Sequence, residues 1–283
     1  MNTLSFYGPA PEVSRSEEVL TEYRKFLEKR NGPGFAARDA RMATEFDPSR
    51  VTASTPVDAE RFNRNYAAFN EKNVSEDELA LLTFVKINAG EAYGVEVVGR
   101  ARKALMQAPG VAAEVERTLT AEETYHTRLL VGAAGHYEGL QVTGAWRPAL
   151  PLRVLIGSLA RLPKTLFHPL LLGSEIAGVH VFDWMLRRLR TLFPNEPRVR
   201  ESMEQRLTEV LIDEIGHVTF NRVMTGAIGR AVARPLAGLV SLSNQSLNKE
   251  LVALGYGQSE LGRIGTFDFG DLPEEVRRRA FFA

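Results

Sequence analysis

The chain has 283 residues, 44% hydrophobic and 25% charged, and its 35 basic and 35 acidic side chains balance to zero net charge. That is the make-up of an ordinary globular protein, and it gives no reason to expect a nucleic-acid or membrane-surface partner. Cysteine is absent, which excludes disulfides, thiolate zinc sites, Cys-ligated iron–sulfur clusters and Cys nucleophiles. Any metal must be held by imidazole and carboxylate, a donor set that suits iron or manganese.

Met1 to Ala10 shows no basic patch followed by an apolar run, so no signal peptide is expected and the cytoplasm is the expected compartment. The most apolar stretch, Pro151 to Phe182, is interrupted by Arg153, Arg161, Lys164 and Glu175, and no membrane span is expected there.

Helical spacing recurs through most of the length and period-two alternation is scarce, so the predicted fold is all-α. A first amphipathic helix runs from Ser16 to Lys29 and is closed by Gly32-Pro33-Gly34. Arg38 to Asp58 reads as irregular, and a short helix follows at Ala59 to Asn70. Four longer helices come next. The first opens at Ser75, which forms a capping box with Glu78, and runs to Met106. After the break Gln107-Ala108-Pro109-Gly110, the second runs from Val111 to Tyr137. A Gly- and Pro-rich connection, Gly139 to Pro163, holds one short helix. The third begins near Pro169, a residue suited to the first helical position, and ends at Phe193. Pro194 to Pro197 turns the chain into the fourth, Arg198 to Arg230. Beyond it the pattern predicts a helix at Pro235 to Leu254, then mostly loop, and a short helix at Pro273 to Phe281.

Two short loops and one long connection between four long helices is the layout of a ferritin-like four-helix bundle, two antiparallel hairpins joined by a crossover. The expected organisation is a single domain over 1–283. Its metal-binding core lies at 75–231, with flanking helices and loops at 1–74 and 232–283.

Two of the four helices carry Glu-x-x-His: Glu123 with His126, and Glu214 with His217. Residues three apart share a helical face, so each pair offers a carboxylate and an imidazole to one point. Bundles that hold two metals combine such pairs with a single Glu from each remaining helix, here Glu91 and Glu175. The heights agree. Glu91 and Glu123 lie roughly 22 and 18 Å from the turn they share, and Glu175 and Glu214 roughly 27 and 24 Å from theirs, at 1.5 Å per residue. Glu91 and Glu175 also sit in apolar runs, where an unpaired charge is costly.

Gly94 and Gly178 stand three residues after those carboxylates, and either leave space beside a metal or let helices pack closely. Asp213 and Glu122 precede the two motif carboxylates, four residues before His217 and His126, and either can hydrogen-bond a ligand imidazole; Glu122 suits a solvated face nearly as well. Tyr93 reads as packing, His168 as a capping or core residue, and His180 and His136 lie off the site. Arg187, Arg188 and Arg190, with Arg198, Arg200 and Arg206, read as solvated faces.

The stretches Ala121-Glu-Glu-Thr-Tyr-His126-Thr, Ser174-Glu175-Ile-Ala and Ile212-Asp-Glu-Ile-Gly-His217 resemble the di-iron arylamine N-oxygenases, the p-aminobenzoate N-oxygenase family, over about half the chain, Glu76 to Val223. The resemblance implies a ferritin-like di-iron carboxylate oxygenase. Its two metals would be iron, or manganese or a mixed pair, with dioxygen as co-substrate and an external electron donor. It further implies oxidation of a small organic substrate, such as an amine or amino-aromatic, by N-oxygenation or hydroxylation, and a homodimer. The family carries a further His one turn before its last motif Glu, where this chain has Val210. The alternative is a ferroxidase, peroxide-consuming or manganese protein without an organic substrate, and a third reading is a scaffold without metal.

Overall fold

The computed structural model describes residues 4–8, 15–70, 74–143, 147–148 and 150–283, and the regular elements among them are all helical. α1 (Ser16–Asn31) buries Val19, Leu20, Tyr23 and Leu27 on one face, and ends at Gly32, whose φ of 70° would strain any residue with a side chain. α2 (Ala36–Thr44) follows where the sequence predicts an irregular segment. The reason is physical: its buried residue is Arg38, so no apolar period marks it and charge fixes it instead. α3 (Ala59–Ala67) is capped by Asp58.

The helix predicted from Ser75 to Met106 is three pieces: α4 (Glu76–Lys86), α5 (Ala89–Ala101) and α6 (Lys103–Met106). Ser75 accepts the backbone N–H of Glu78, but the Glu78 carboxylate pairs with Arg61, and no return bond completes a capping box among the described residues. At the first break the buried Asn88 side chain donates to Thr127 Oγ1 at 3.4 Å, the kind of side-chain bond that competes with helix continuation.

α7 (Val111–Gly132) and a 3₁₀ turn fill the predicted second helix, and α8 (Leu150–Leu159) is the short helix of the long connection. α9 (Lys164–Leu189) starts five residues before Pro169. Pro163 supplies the non-helical start, and Pro169 lies inside the helix, where a Cβ on Gly229 would come within 2.6 Å of its ring. α10 (Pro197–Met224) has its proline at the first position and stops short of Arg230, because Thr225 and Gly226 separate it from α11 (Ala227–Leu247). Pro235 is therefore inside α11 and does not open a helix. α12 (Lys249–Ala253), α13 (Gln258–Ile264), which the sequence pattern left as loop, and α14 (Glu274–Arg279) complete the chain.

α10 packs against α7 on one side and α9 on the other, α11 covers α9, α4 and α5 lie on α7, and α1 spans α7 and α10. The main core is built from the inward faces of these helices, with Leu172, Ile176, Val179, Leu211, Ile215 and Val218 fully buried. Each such side chain contributes about 1.5–3 kcal/mol of burial free energy. A smaller cluster of Leu20, Tyr23, Leu27, Val115, Leu119 and Phe220 fastens α1 to the bundle. α9 is long and apolar enough to cross a membrane by length and composition, and 67% of its apolar window is buried within the protein.

Arg206 corrects another expectation. It is fully buried, not solvated, and donates to the Leu129 carbonyl at 2.9 Å and to the Phe46 carbonyl; burial pulls its guanidinium down to about 10.

At Gly173 α9 meets α11 so closely that a Cβ would fall 2.7 Å from Leu236 Cβ and 3.1 Å from the Ala237 nitrogen. Gly173→Ala should therefore destabilise the protein by about 1–3 kcal/mol in urea unfolding. Gly94→Ala, whose Cβ would meet nothing within 4 Å, should be neutral or stabilising by up to about 1 kcal/mol.

Candidate metal centre

On α7 and α10 the three-residue spacing puts each carboxylate and imidazole on the face turned toward the other helix. Glu123 and Glu214 then lie between the two imidazoles. Glu123 sends Oε2 to within 3.6 Å of His126 Nδ1 and Oε1 to within 3.0 Å of His217 Nδ1. Glu214 repeats the pattern, Oε1 at 3.1 Å from His126 Nδ1 and Oε2 at 3.4 Å from His217 Nδ1. The rings themselves lie 5.6 Å apart, 27° from parallel. Each carboxylate thus spans from one imidazole to the other.

Glu175 from α9 completes one half: ligand atoms of Glu123, Glu175, Glu214 and His217 all lie within 4.8 Å of one another, an arrangement that can hold a metal ion. Glu91 from α5 lies close enough to feel the charges of Glu214, Glu123, Glu175 and His126. Its carboxylate is accommodated by Gly178, since a Cβ there would stand 2.7 Å from Glu91 Oε1. The two glycines therefore play different parts. Gly178 makes room for a ligand, and Gly94 faces open space.

Glu123, His126, Glu175, Glu214 and His217 are thus brought to one place with Glu91 beside them, and their electrostatics ask for a cation. Burial, reinforced by repulsion from Glu214, pushes the Glu91 and Glu175 carboxyls well above the usual range. Burial alone would lower both imidazoles, but the surrounding carboxylates outweigh it and raise them. Glu91 Oε2, Glu123 Oε2, His126 Nδ1 and both Glu214 oxygens are buried without a hydrogen-bond partner, though His126 Nδ1 and Glu214 Oε1 are only 3.1 Å apart. Orphaned buried oxygens and ring nitrogens of this kind are costly unless an ion is bound. Four carboxylates also match the charge of two divalent cations, so the donor set fits a pair of hard metal ions.

Behind the ligands the wiring is crossed. Asp213, beside Glu214 on α10, lies 3.1 Å from Nε2 of His126 on α7. Glu122, beside Glu123 on α7, lies 3.2 Å from Nε2 of His217 on α10. Glu122 is fully buried, so the solvated-face reading fails, and each acid serves the imidazole of the opposite helix. Burial would raise the Asp213 carboxyl, but Arg30 and Arg38 hold it well below its ordinary value.

Sequence reasoning missed this outer layer. Arg30 donates to Asp213 at 2.6 Å and to Glu209 at 2.9 Å, and Arg38 donates to Asp213 at 2.7 and 2.8 Å. Asn31 donates to Glu122 at 3.0 Å, and Arg41 and Arg279 both pair with Glu209. The one available signal was Glu209, four residues before Asp213 in an otherwise apolar run of α10. Tyr23 was missed as well. Its buried hydroxyl has no hydrogen-bond partner and lies against Gly216, where a Cβ would fall 2.2 Å away. The other histidines stand apart: His168 bonds Asn221, His180 bonds Tyr256, and His136 lies against the Pro48 and Val51 carbonyls.

Comparison with family models, with curated proteins and with solved structures finds no match to this chain. The geometry carries the functional argument alone.

Because the atom that a residue-178 Cβ would strike is the far end of a flexible carboxylate, Gly178→Ala should leave stability within about 1 kcal/mol of wild type. It should displace Glu91 and weaken metal binding by about 10-fold or more, read by chelator competition. Unchanged metal affinity would remove Glu91 from the centre.

Proposed function

We propose that this chain is a ferritin-like, dinuclear non-haem iron oxidoreductase of the oxygenase type. It would act on a small organic substrate, an amine or amino-aromatic undergoing N-oxygenation or hydroxylation. The observation that supports this best is the pair of carboxylates, Glu123 and Glu214, each directing one oxygen to His126 and the other to His217. Glu123 and Glu214, with Glu91 and His126 on one side and Glu175 and His217 on the other, would hold two metal ions. Iron is the best fit, with manganese or a mixed pair compatible with the same donors. When bound, the pair would supply reductive activation of dioxygen with electrons from an external donor.

The residues of the chain have their own parts in this. With an ion bound, Asp213 and Glu122 would hold a proton on each Nε2 and leave each Nδ1 lone pair to the metal. Phe84, Leu119, Leu172, Val179, Phe182 and Val210 are buried around the ligand-bearing faces and keep water out of the bundle interior. Val210 occupies the place where the arylamine N-oxygenases carry a further histidine, so a six-ligand set suits hydroxylation or oxidation as well as N-oxygenation.

Purified protein should contain two iron atoms per chain, and the optical spectrum of the reduced form should change when oxygen is added. Glu175→Ala should leave about one metal per chain with the fold intact. Iron accumulating far beyond two per chain would favour the ferroxidase reading, and a chain that binds no metal at all would sink both.

A further inference from the structure

We propose that Arg38 is a positioning residue that ties the two imidazoles into one unit, so that both metal positions depend on a single guanidinium. This rests on the dinuclear reading above and adds to it a residue from a helix that carries none of the six ligands.

The observation is a continuous chain of contacts. His126 Nε2 lies 3.1 Å from Asp213 Oδ2. Asp213 accepts from Arg38 Nη2 at 2.7 and 2.8 Å, and the same Nη2 reaches Glu122 Oε1 at 3.2 Å. The other oxygen of Glu122 lies 3.2 Å from His217 Nε2. Arg38, Glu122 and both imidazoles are all but completely buried, so water cannot substitute for any link. Asn31 fixes the geometry from the side, accepting from Arg38 Nε at 2.7 Å and donating to Glu122 at 3.0 Å. The Arg38 guanidinium also lies 4.7 Å over the Tyr125 ring, which holds it in place.

The physical consequence is coupling. Asp213 and Glu122 meet at Arg38; Asp213 also accepts from Arg30 at 2.6 Å, but Arg38 is the guanidinium that touches both acids, and without it they lose the group that joins them and swing away from their imidazoles. A carboxylate that turns away no longer fixes its imidazole in the orientation that presents Nδ1. Loss of Asp213 alone disturbs His126, and loss of Glu122 alone disturbs His217. Loss of Arg38 disturbs both at once.

The test titrates the full chain with cobalt(II), following visible absorption and competition with a chelator. Asp213→Asn and Glu122→Gln should each weaken one of the two cobalt sites by about 10- to 100-fold, whereas Arg38→Met should weaken both by comparable factors. Arg38→Lys, which keeps the charge without the planar fork, should recover part of that loss. If Arg38→Met does not fold, the double variant Asp213→Asn/Glu122→Gln decides: coupling through Arg38 predicts a combined loss differing by about 3-fold or more from the product of the single losses. Arg38→Met that folds but alters neither site, or only one, overturns the proposal, as does a strictly multiplicative double variant. In that case wild type still binds two cobalt ions and the functional reading stands. Wild type that binds no cobalt overturns both.

Discussion

The constraint on which everything else depends is the gathering of four carboxylates between apolar helices, with Glu123 and Glu214 buried and Glu91 and Glu175 half-buried beside them. Unmatched, such a set would be forced to take up protons or to unfold the bundle, because desolvating even one carboxylate costs several kcal/mol. The fold answers at two distances. At the centre, His126 and His217 stand among the four acids, and buried oxygens of Glu91, Glu123 and Glu214 are left without a hydrogen-bond partner. One layer out, Asp213, Glu122 and Glu209 are met by Arg30, Arg38, Arg41 and Arg279, so the second ring of negative charge is already balanced by the protein itself. The inner set has two imidazoles against four acids.

This division explains why the helices flanking the ligand-bearing ones are present. α1 and α2 contribute no metal donor, yet they deliver Arg30, Asn31, Arg38 and Arg41 into the back of the centre. Gly216 permits the approach by letting the Tyr23 ring lie against α10. α14 adds Arg279 to the Glu209 carboxylate. A bundle of four helices alone would leave Glu122, Glu209 and Asp213 buried and uncompensated.

The inner set, with Asp213 and Glu122 behind it, was legible in the sequence and the arginines that meet those acids were not, for a reason that lies in the kind of signal each leaves. Glu123 and His126, or Glu214 and His217, are neighbours on one helix, so spacing alone declares them, and the matched distances to a shared turn place Glu91 and Glu175 beside them. Arg38 reaches Asp213 across 175 positions of sequence, and nothing local sets it apart from the other arginines. Helix ends were read least well where proline was taken at face value. Pro169 and Pro235 both lie inside helices, whereas Pro197 does open one. α2 escaped notice because its anchor is a charge, and Arg206 was misplaced because an arginine run looks like surface even when one member is fully enclosed.

The interruption at Ile87 and Asn88 gives the bundle an uneven wall. α4 before it is buried from Glu78 to Lys86 and α10 is enclosed around its ligands, but α5 contains no fully buried residue. Glu91 is therefore carried on a segment with the least apolar anchorage, joined to its neighbours by short breaks at either end. Segments of this kind open locally at lower free energy than the rest of a fold. Local opening should therefore cost least on the α5 side of the charged interior, where Glu91 is itself only half-buried.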